Sequence, residues 1–186
     1  MTTNIISNTS ENLKNEWRTP PEIFAWASRL IGVFDYDTAC TKQNALAMRI
    51  TDGHDALIVP WSGVLWCNPP YDHISPWVEK ALNSDAITAM LIPSPNGEDR
   101  YGDLFRRSHE ISVIGRLAFL AGGDFVIPGK PAKNGKNAMP DKYIKEGEPV
   151  SGNTRGSSLF IINGYGQGSR SVITRDEIWR MYGSAS

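Results

Sequence analysis

A chain of 186 residues with 40% hydrophobic content is long enough to bury one core and close to the usual size of a single domain. No apolar run reaches the roughly 18 residues that a bilayer-spanning helix needs, and Met1 to Asn15 has neither the basic nor the apolar part of a signal peptide, so a cytoplasmic protein without a membrane partner is expected. The formal net charge of −1 argues against coating nucleic acid by bulk electrostatics, and Cys40 and Cys67 lack a ligand spacing, so neither a disulfide framework nor a metal site is expected.

Residues 1–15 are rich in Asn, Ser and Thr with no apolar period and read as a flexible tail, leaving 16–186 as the folded domain. Thr19, Pro20 and Glu22 form a capping-box pattern with proline at the first helical position. Ile23, Phe24, Ala27, Leu30 and Ile31 follow on one face, which predicts an amphipathic helix stopped by Gly32. Val33 to Asp37 reads as a short strand and Asn44 to Met48 as a brief helix. Gly63 to Cys67 is a compact apolar strand, ended by Pro69 and Pro70 because proline donates nothing to a ladder.

Ser75 and Pro76 start a helix with Trp77, Val78, Ala81 and Leu82 inward, and Ala86 to Ile92 is a buried-looking strand. Asp99 to Arg107 reads as helical, Ile111 to Gly115 as a strand and Leu117 to Leu120 as another. The stretch 121–155 turns Gly-, Pro- and Lys-rich, with Lys130, Lys133, Lys136, Lys142 and Lys145. It is too long for a plain connection, and reads either as a DNA-contacting insert whose lysines lie along phosphates or as a solvated loop. Ser158 to Ile162 is a late strand, and Thr174 with Glu177 caps a terminal helix carrying Ile178, Trp179 and Tyr182. Strands alternating with helices predict an α/β domain with a mostly parallel sheet, an antiparallel end and helices on both faces, where ligands sit beyond the carboxyl ends of the strands.

Asn68-Pro69-Pro70-Tyr71 occupies such an end. A ring-conjugated amine is flat and a poor nucleophile, because its lone pair is delocalised. Hydrogen bonds from its two protons to the Asn68 side-chain oxygen and the Pro69 carbonyl pull the nitrogen toward tetrahedral geometry, while Pro70 fixes the turn and Tyr71 offers a ring for an extruded base to stack on. A bare Asn-Pro-Pro turn also serves structure alone; Tyr71, the strand before and the helix after favour the chemical reading. Arg116, leaving a strand near the expected site, is either a phosphate contact or a solvated side chain. Asp55, just before Ala56 and Leu57, is either a ligand contact or a turn aspartate. Trp61 and Trp66 read as core residues.

Taken together, Trp17-Arg18-Thr19-Pro20, Asp37-Thr38-Ala39-Cys40, the Trp61 segment, Trp66-Cys67-Asn68-Pro69-Pro70-Tyr71 and Gly115-Arg116-Leu117-Ala118-Phe119 resemble the phage N-6-adenine DNA methyltransferase (Dam-like) family over residues 15–165. The resemblance implies a Rossmann-like S-adenosylmethionine-dependent methyltransferase fold and methylation of the 6-amino group of adenine in double-stranded DNA, in a phage- or prophage-encoded protein. By it, Asn68, Pro69, Pro70 and Tyr71 are catalytic. Trp17, Thr19 and Pro20 help hold the methionine end of the cofactor, and Asp37, Ala39 and Cys40 form the first-strand motif in which a carboxylate pairs with the cofactor's amino group. Related methyltransferases follow that strand with a glycine-rich loop, whereas this chain reads Thr41-Lys42-Gln43. The rival readings are methylation of another planar amine (an RNA base, the cytosine amine or a protein glutamine) and a DNA-binding module without catalysis.

Overall fold

The computed structural model describes residues 17–49, 55–95, 101–129, 131–132, 137–150 and 156–183. The stretch expected to be a tail, and Lys130, Lys133 and Lys136, lie outside them.

Helix α1 (Pro21–Ile31) opens on two prolines, Pro20 as N-cap and Pro21 as its first residue, and closes at Gly32, whose φ of 101° suits glycine. The capping box expected of Thr19 and Glu22 does not form: Pro20 has no capping side chain, and the Thr19 hydroxyl is engaged by Asn68 instead. Strand β1 is only Tyr36–Asp37, shorter than expected. One residue earlier, the Asp35 carboxylate accepts from Val64 N–H at 2.9 Å, and a Cβ on Gly63 would meet that carboxylate at 2.4 Å. No helix follows at Asn44 to Met48. Asn44 Oδ1 accepts from Thr41 N–H at 2.6 Å and Asp37 Oδ2 from Leu46 N–H at 3.1 Å, so side chains take the donors a helix would have used.

The remaining elements are β2 (Val64–Cys67), α2 (Ile74–Leu82), β3 (Ile87–Pro93), α3 (Gly102–Arg106), β4 (Ser108–Ile114), β5 (Phe119–Leu120), β6 (Phe125–Ile127), β7 (Lys142–Ile144), β8 (Pro149–Val150), β9 (Ser157–Ile162), β10 (Ser169–Thr174) and α4 (Arg175–Tyr182). The main sheet has six strands in the order β1-β2-β3-β9-β4-β10. β1, β2 and β3 pair in parallel, as do β4 and β10, while β9 is antiparallel to both of its neighbours. The sheet is therefore mixed, and its reversed strand lies inside rather than at an end as expected. The chain leaves β4 at the carboxyl edge, and the arm that follows returns it to that same edge, so β9 must run back. At the far edge a tight turn with Asn163, Gly166 and Gly168 at positive φ sends β10 up again.

Period-two alternation divides the core between the two faces. Trp66, Ala89, Leu91, Leu159 and Ile161 pack with Ile23, Trp26 and Ala27 of α1 and Ile178 of α4. Leu65, Cys67, Met90, Ile92, Phe160 and Ile162 pack with Val78 and Ala81 of α2 and Leu104 of α3. Strand β9 is buried at every position, and its last four residues, Leu159 to Ile162, are a continuous apolar run. No helix among the described residues is long and apolar enough to cross a membrane.

The 121–155 stretch is more than a loop. β5 pairs with β8 and β6 with β7, both antiparallel, and Phe125, Ile127 and Ile144 pack on the core. The arm is tied to the segment before α1: Arg18 and Leu120 exchange backbone hydrogen bonds at 2.8 and 2.9 Å, and the Arg18 guanidinium donates to the Gly122 carbonyl at 3.0 Å and to Glu146 at 2.6 Å.

Candidate functional site

The carboxyl ends of β1 and β2 lie side by side, with Asp37 in register with Trp66. Beyond them opens a cleft lined by Trp17, Thr19, Asp37, Ala39, Cys40 and Asn68 through Tyr71. The floor is rigid. Trp66 is 1% exposed and meets Phe24 and Phe34 edge-on at 5.5 and 5.6 Å, and the Trp66 carbonyl accepts from both the backbone N–H and the hydroxyl of Thr38 at 3.0 Å.

One wall is aromatic. Trp17 stacks on Phe119 at 6.2 Å between ring centres, and Tyr71 meets the same Phe119 edge-on at 5.8 Å. Asn68 sits between this wall and the Asp37 side, and its amide nitrogen donates to the Thr19 hydroxyl at 3.0 Å. Among the described residues, four buried side-chain polar atoms lack a partner, and three belong to the cleft: Trp17 Nε1, Asn68 Oδ1 and the Tyr71 hydroxyl. Buried polar groups are normally satisfied, so such a cluster marks a place where a ligand's polar groups belong. Burial pushes the Tyr71 phenol up, which keeps it protonated.

Asp37 forms the opposite side. It is 3% exposed, and loss of solvent raises its pKa from 3.8 to about 6 against the lowering effect of hydrogen bonds from Leu46, Ala39 and Cys40. The same carboxylate holds the loop after β1 beside the cleft by accepting from Leu46 N–H. Cys67 is fully buried next to it, where desolvation pushes the thiol up.

The sequence matches the family described as DNA N-6-adenine-methyltransferase (Dam) across residues 6–182. This chain belongs to that family. It is 24% identical over 178 residues to a protein named DNA N-6-adenine-methyltransferase from Escherichia phage T1, covering 84% of this chain and 66% of that protein. It is 29% identical over 123 residues to a protein of the same name from Haemophilus phage HP1, covering 61% of this chain and 71% of that one. No solved structure matches it.

Several expected site residues of this Dam-family chain lie elsewhere. Pro20 is buried as the N-cap of α1 and does not line the cleft. Asp55 is exposed, and its carboxylate accepts from Leu57 N–H at 2.9 Å, which is the turn role. Arg116 is exposed between β4 and β5, with its carbonyl accepting from the Arg175 guanidinium at 3.4 Å. Conversely, Arg18, Asn44, Leu46 and Phe119 line the cleft without having been singled out for it. Asn44 was legible in principle, since an Asn three residues after Thr41 is a turn-forming pattern. Trp61 and Trp66 are core residues as expected, at 6% and 1% exposure.

Proposed function

We propose that this protein is a DNA adenine methyltransferase that uses S-adenosylmethionine to methylate the exocyclic 6-amino group of adenine in double-stranded DNA, in the cytoplasm of a bacterial host. The observation that carries the reading is Asn68: its amide nitrogen is held by Thr19 while its oxygen is buried with no protein partner. That is an acceptor kept in reserve at the end of a strand. The finer assignment of the fold, a Rossmann-like methyltransferase domain spanning 16–186, is supported by five co-directional strands around one reversed strand, by helices on both faces, and by a cleft at the carboxyl ends.

The residues present fit the cofactor, since the cleft offers an unpartnered buried donor at Trp17 and a buried carboxylate at Asp37 suited to an ammonium group. When bound, S-adenosylmethionine supplies a methyl group on a sulfonium, an electrophile that needs only a nitrogen lone pair. Trp17, Asp37, Ala39 and Cys40 hold its amino-acid end. Asn68 Oδ1 accepts one proton of the adenine amine and the Pro69 carbonyl the other, which localises the nitrogen lone pair. Pro70 keeps those acceptors aimed, and Tyr71 supports the extruded base. The arm 121–155, anchored at Arg18 beside the cleft and carrying exposed Lys142 and Lys145, lies along the DNA backbone.

The test offers unmethylated DNA, RNA and protein extract separately to the purified chain with methyl-labelled S-adenosylmethionine. Label should enter DNA. Label confined to RNA or protein, or none in any pool from folded protein, contradicts the reading.

A further inference from the structure

We propose that Thr19 is a positioning residue for catalysis, whose hydroxyl anchors one end of the Asn68 carboxamide so that the other end points at the incoming amine. The inference rests on the methyltransferase reading above and adds a role for a side chain so far tied only to the cofactor.

A carboxamide is nearly symmetrical in shape, yet turning it over exchanges an acceptor for two donors. If the Asn68 amide nitrogen faced an adenine amine, donor would meet donor and the lone pair would not be localised. In the structure Thr19 accepts from Asn68 Nδ2 at 3.0 Å across 49 residues of sequence, which leaves Oδ1 as the free end. A hydroxyl can also donate, so Thr19 holds the carboxamide in place while the two donors of the amine select its acceptor face. Thr19 is 6% exposed, so water competes poorly for that bond.

Three further features make Thr19 suited to the task. It stands one residue before the N-cap of α1, and that cap, Pro20, has no side-chain hydrogen bond. A Thr at the cap would satisfy a free backbone N–H of the helix, and the chain forgoes that stabilisation. The segment carrying Thr19 is clamped on both sides, by the Arg18–Leu120 backbone pair and the Trp17–Phe119 stack before it and by Pro20 and Pro21 after it. Threonine is also branched at Cβ, so its χ1 is stiff and the hydroxyl keeps its aim.

The experiment compares Thr19→Val, which keeps the shape and loses the hydroxyl, with Thr19→Ser, which keeps the hydroxyl. Thr19→Ala repeats the deletion should valine disturb folding. In the ligand-free protein, the Asn68 side-chain amide signals, assigned by their loss in Asn68→Ala, should shift in Thr19→Val and stay in place in Thr19→Ser. On DNA, Thr19→Val should lower kcat by about tenfold to a hundredfold. KM for S-adenosylmethionine should stay within about twofold, and Thr19→Ser should recover most of the rate. Unmoved amide signals with normal kcat overturn the proposal, as does a raised cofactor KM at unchanged kcat, which would make Thr19 a cofactor contact. If the unmutated protein methylates no DNA, the functional reading falls, while the amide signals still decide whether Thr19 holds Asn68.

Discussion

Asn68 and Asp37 both line the cleft and are built on opposite principles. Asn68 has an oxygen without a partner, so Asn68→Ala removes little that the fold uses. It should leave the circular dichroism spectrum and cofactor binding near normal while lowering methyl transfer by roughly a hundredfold to a thousandfold, the cost of losing one preorganised hydrogen-bonding group. Near-normal turnover by the folded variant would remove this loop from the active site. Tyr71→Phe deletes a buried hydroxyl that no group satisfies, so it should be no less stable than the parent and much milder than Tyr71→Ala, as judged by thermal unfolding and rate. Asp37 is the reverse case, a carboxylate under strain from burial. Its folded pKa of about 6 lies above the ordinary 3.8, so the stabilisation from protonating it is complete below pH 4 and is lost as pH rises through 6. At pH 8 the ionised group costs the ligand-free fold on the order of 3 kcal/mol. A bound ammonium relieves that cost. Calorimetric affinity for S-adenosylmethionine should therefore tighten between about pH 5 and 7, and Asp37→Asn should flatten that profile while raising the ligand-free melting temperature at pH 8. A pH-independent affinity in the unmutated protein would contradict the pairing.

Among the elements, the arm between β5 and β8 is the one whose character the sequence concealed. Its Gly, Pro and Lys content resembles a loop, because the strands β6 and β7 are only three residues each and their apolar positions, Phe125, Ile127 and Ile144, are spread over 20 residues. β10 was missed for a related reason. It is an edge strand with exposed and half-buried positions and none fully buried, so no apolar period betrays it. By contrast, β2, β3, β9 and α2 were legible to within a residue or so because burial on both sheet faces or one helix face forces a pattern on the side chains. The terminal capping box at Thr174 and Glu177 forms as its spacing demands, whereas the same spacing at Thr19 fails because the helix starts at Pro21 with Pro20 as its N-cap, one residue too late for Thr19 and Glu22 to pair. If the arm lies on phosphates, replacing Lys142 and Lys145 with glutamine should weaken DNA binding. It should also reduce the slope of log affinity against log salt by up to about 2, with cofactor affinity unchanged. An unaltered slope would make these lysines merely solvated.

At the scale of the whole molecule, the sheet gathers what the sequence scatters. Asp37 and Asn68 meet because β1 and β2 are parallel neighbours, and Trp17, Thr19 and Phe119 join them because Arg18 pairs with Leu120 across the start of the arm. That Asn68 to Tyr71 end a strand at the cleft was legible locally, since an apolar run followed by two prolines must stop there. The direction of β9 was not, because it follows from where the arm begins and ends rather than from any local pattern. Nor was the Thr19–Asn68 bond, which links residues 49 apart. Whether this cleft makes the adenine amine nucleophilic is decided by mass spectrometry of nucleosides from unmethylated DNA treated with S-adenosylmethionine and either the unmutated protein or Asn68→Ala. N6-methyladenine should form with the first and at most a trace with the second; methylated cytosine in its place, or equal methyladenine from both, would overturn that role for the cleft.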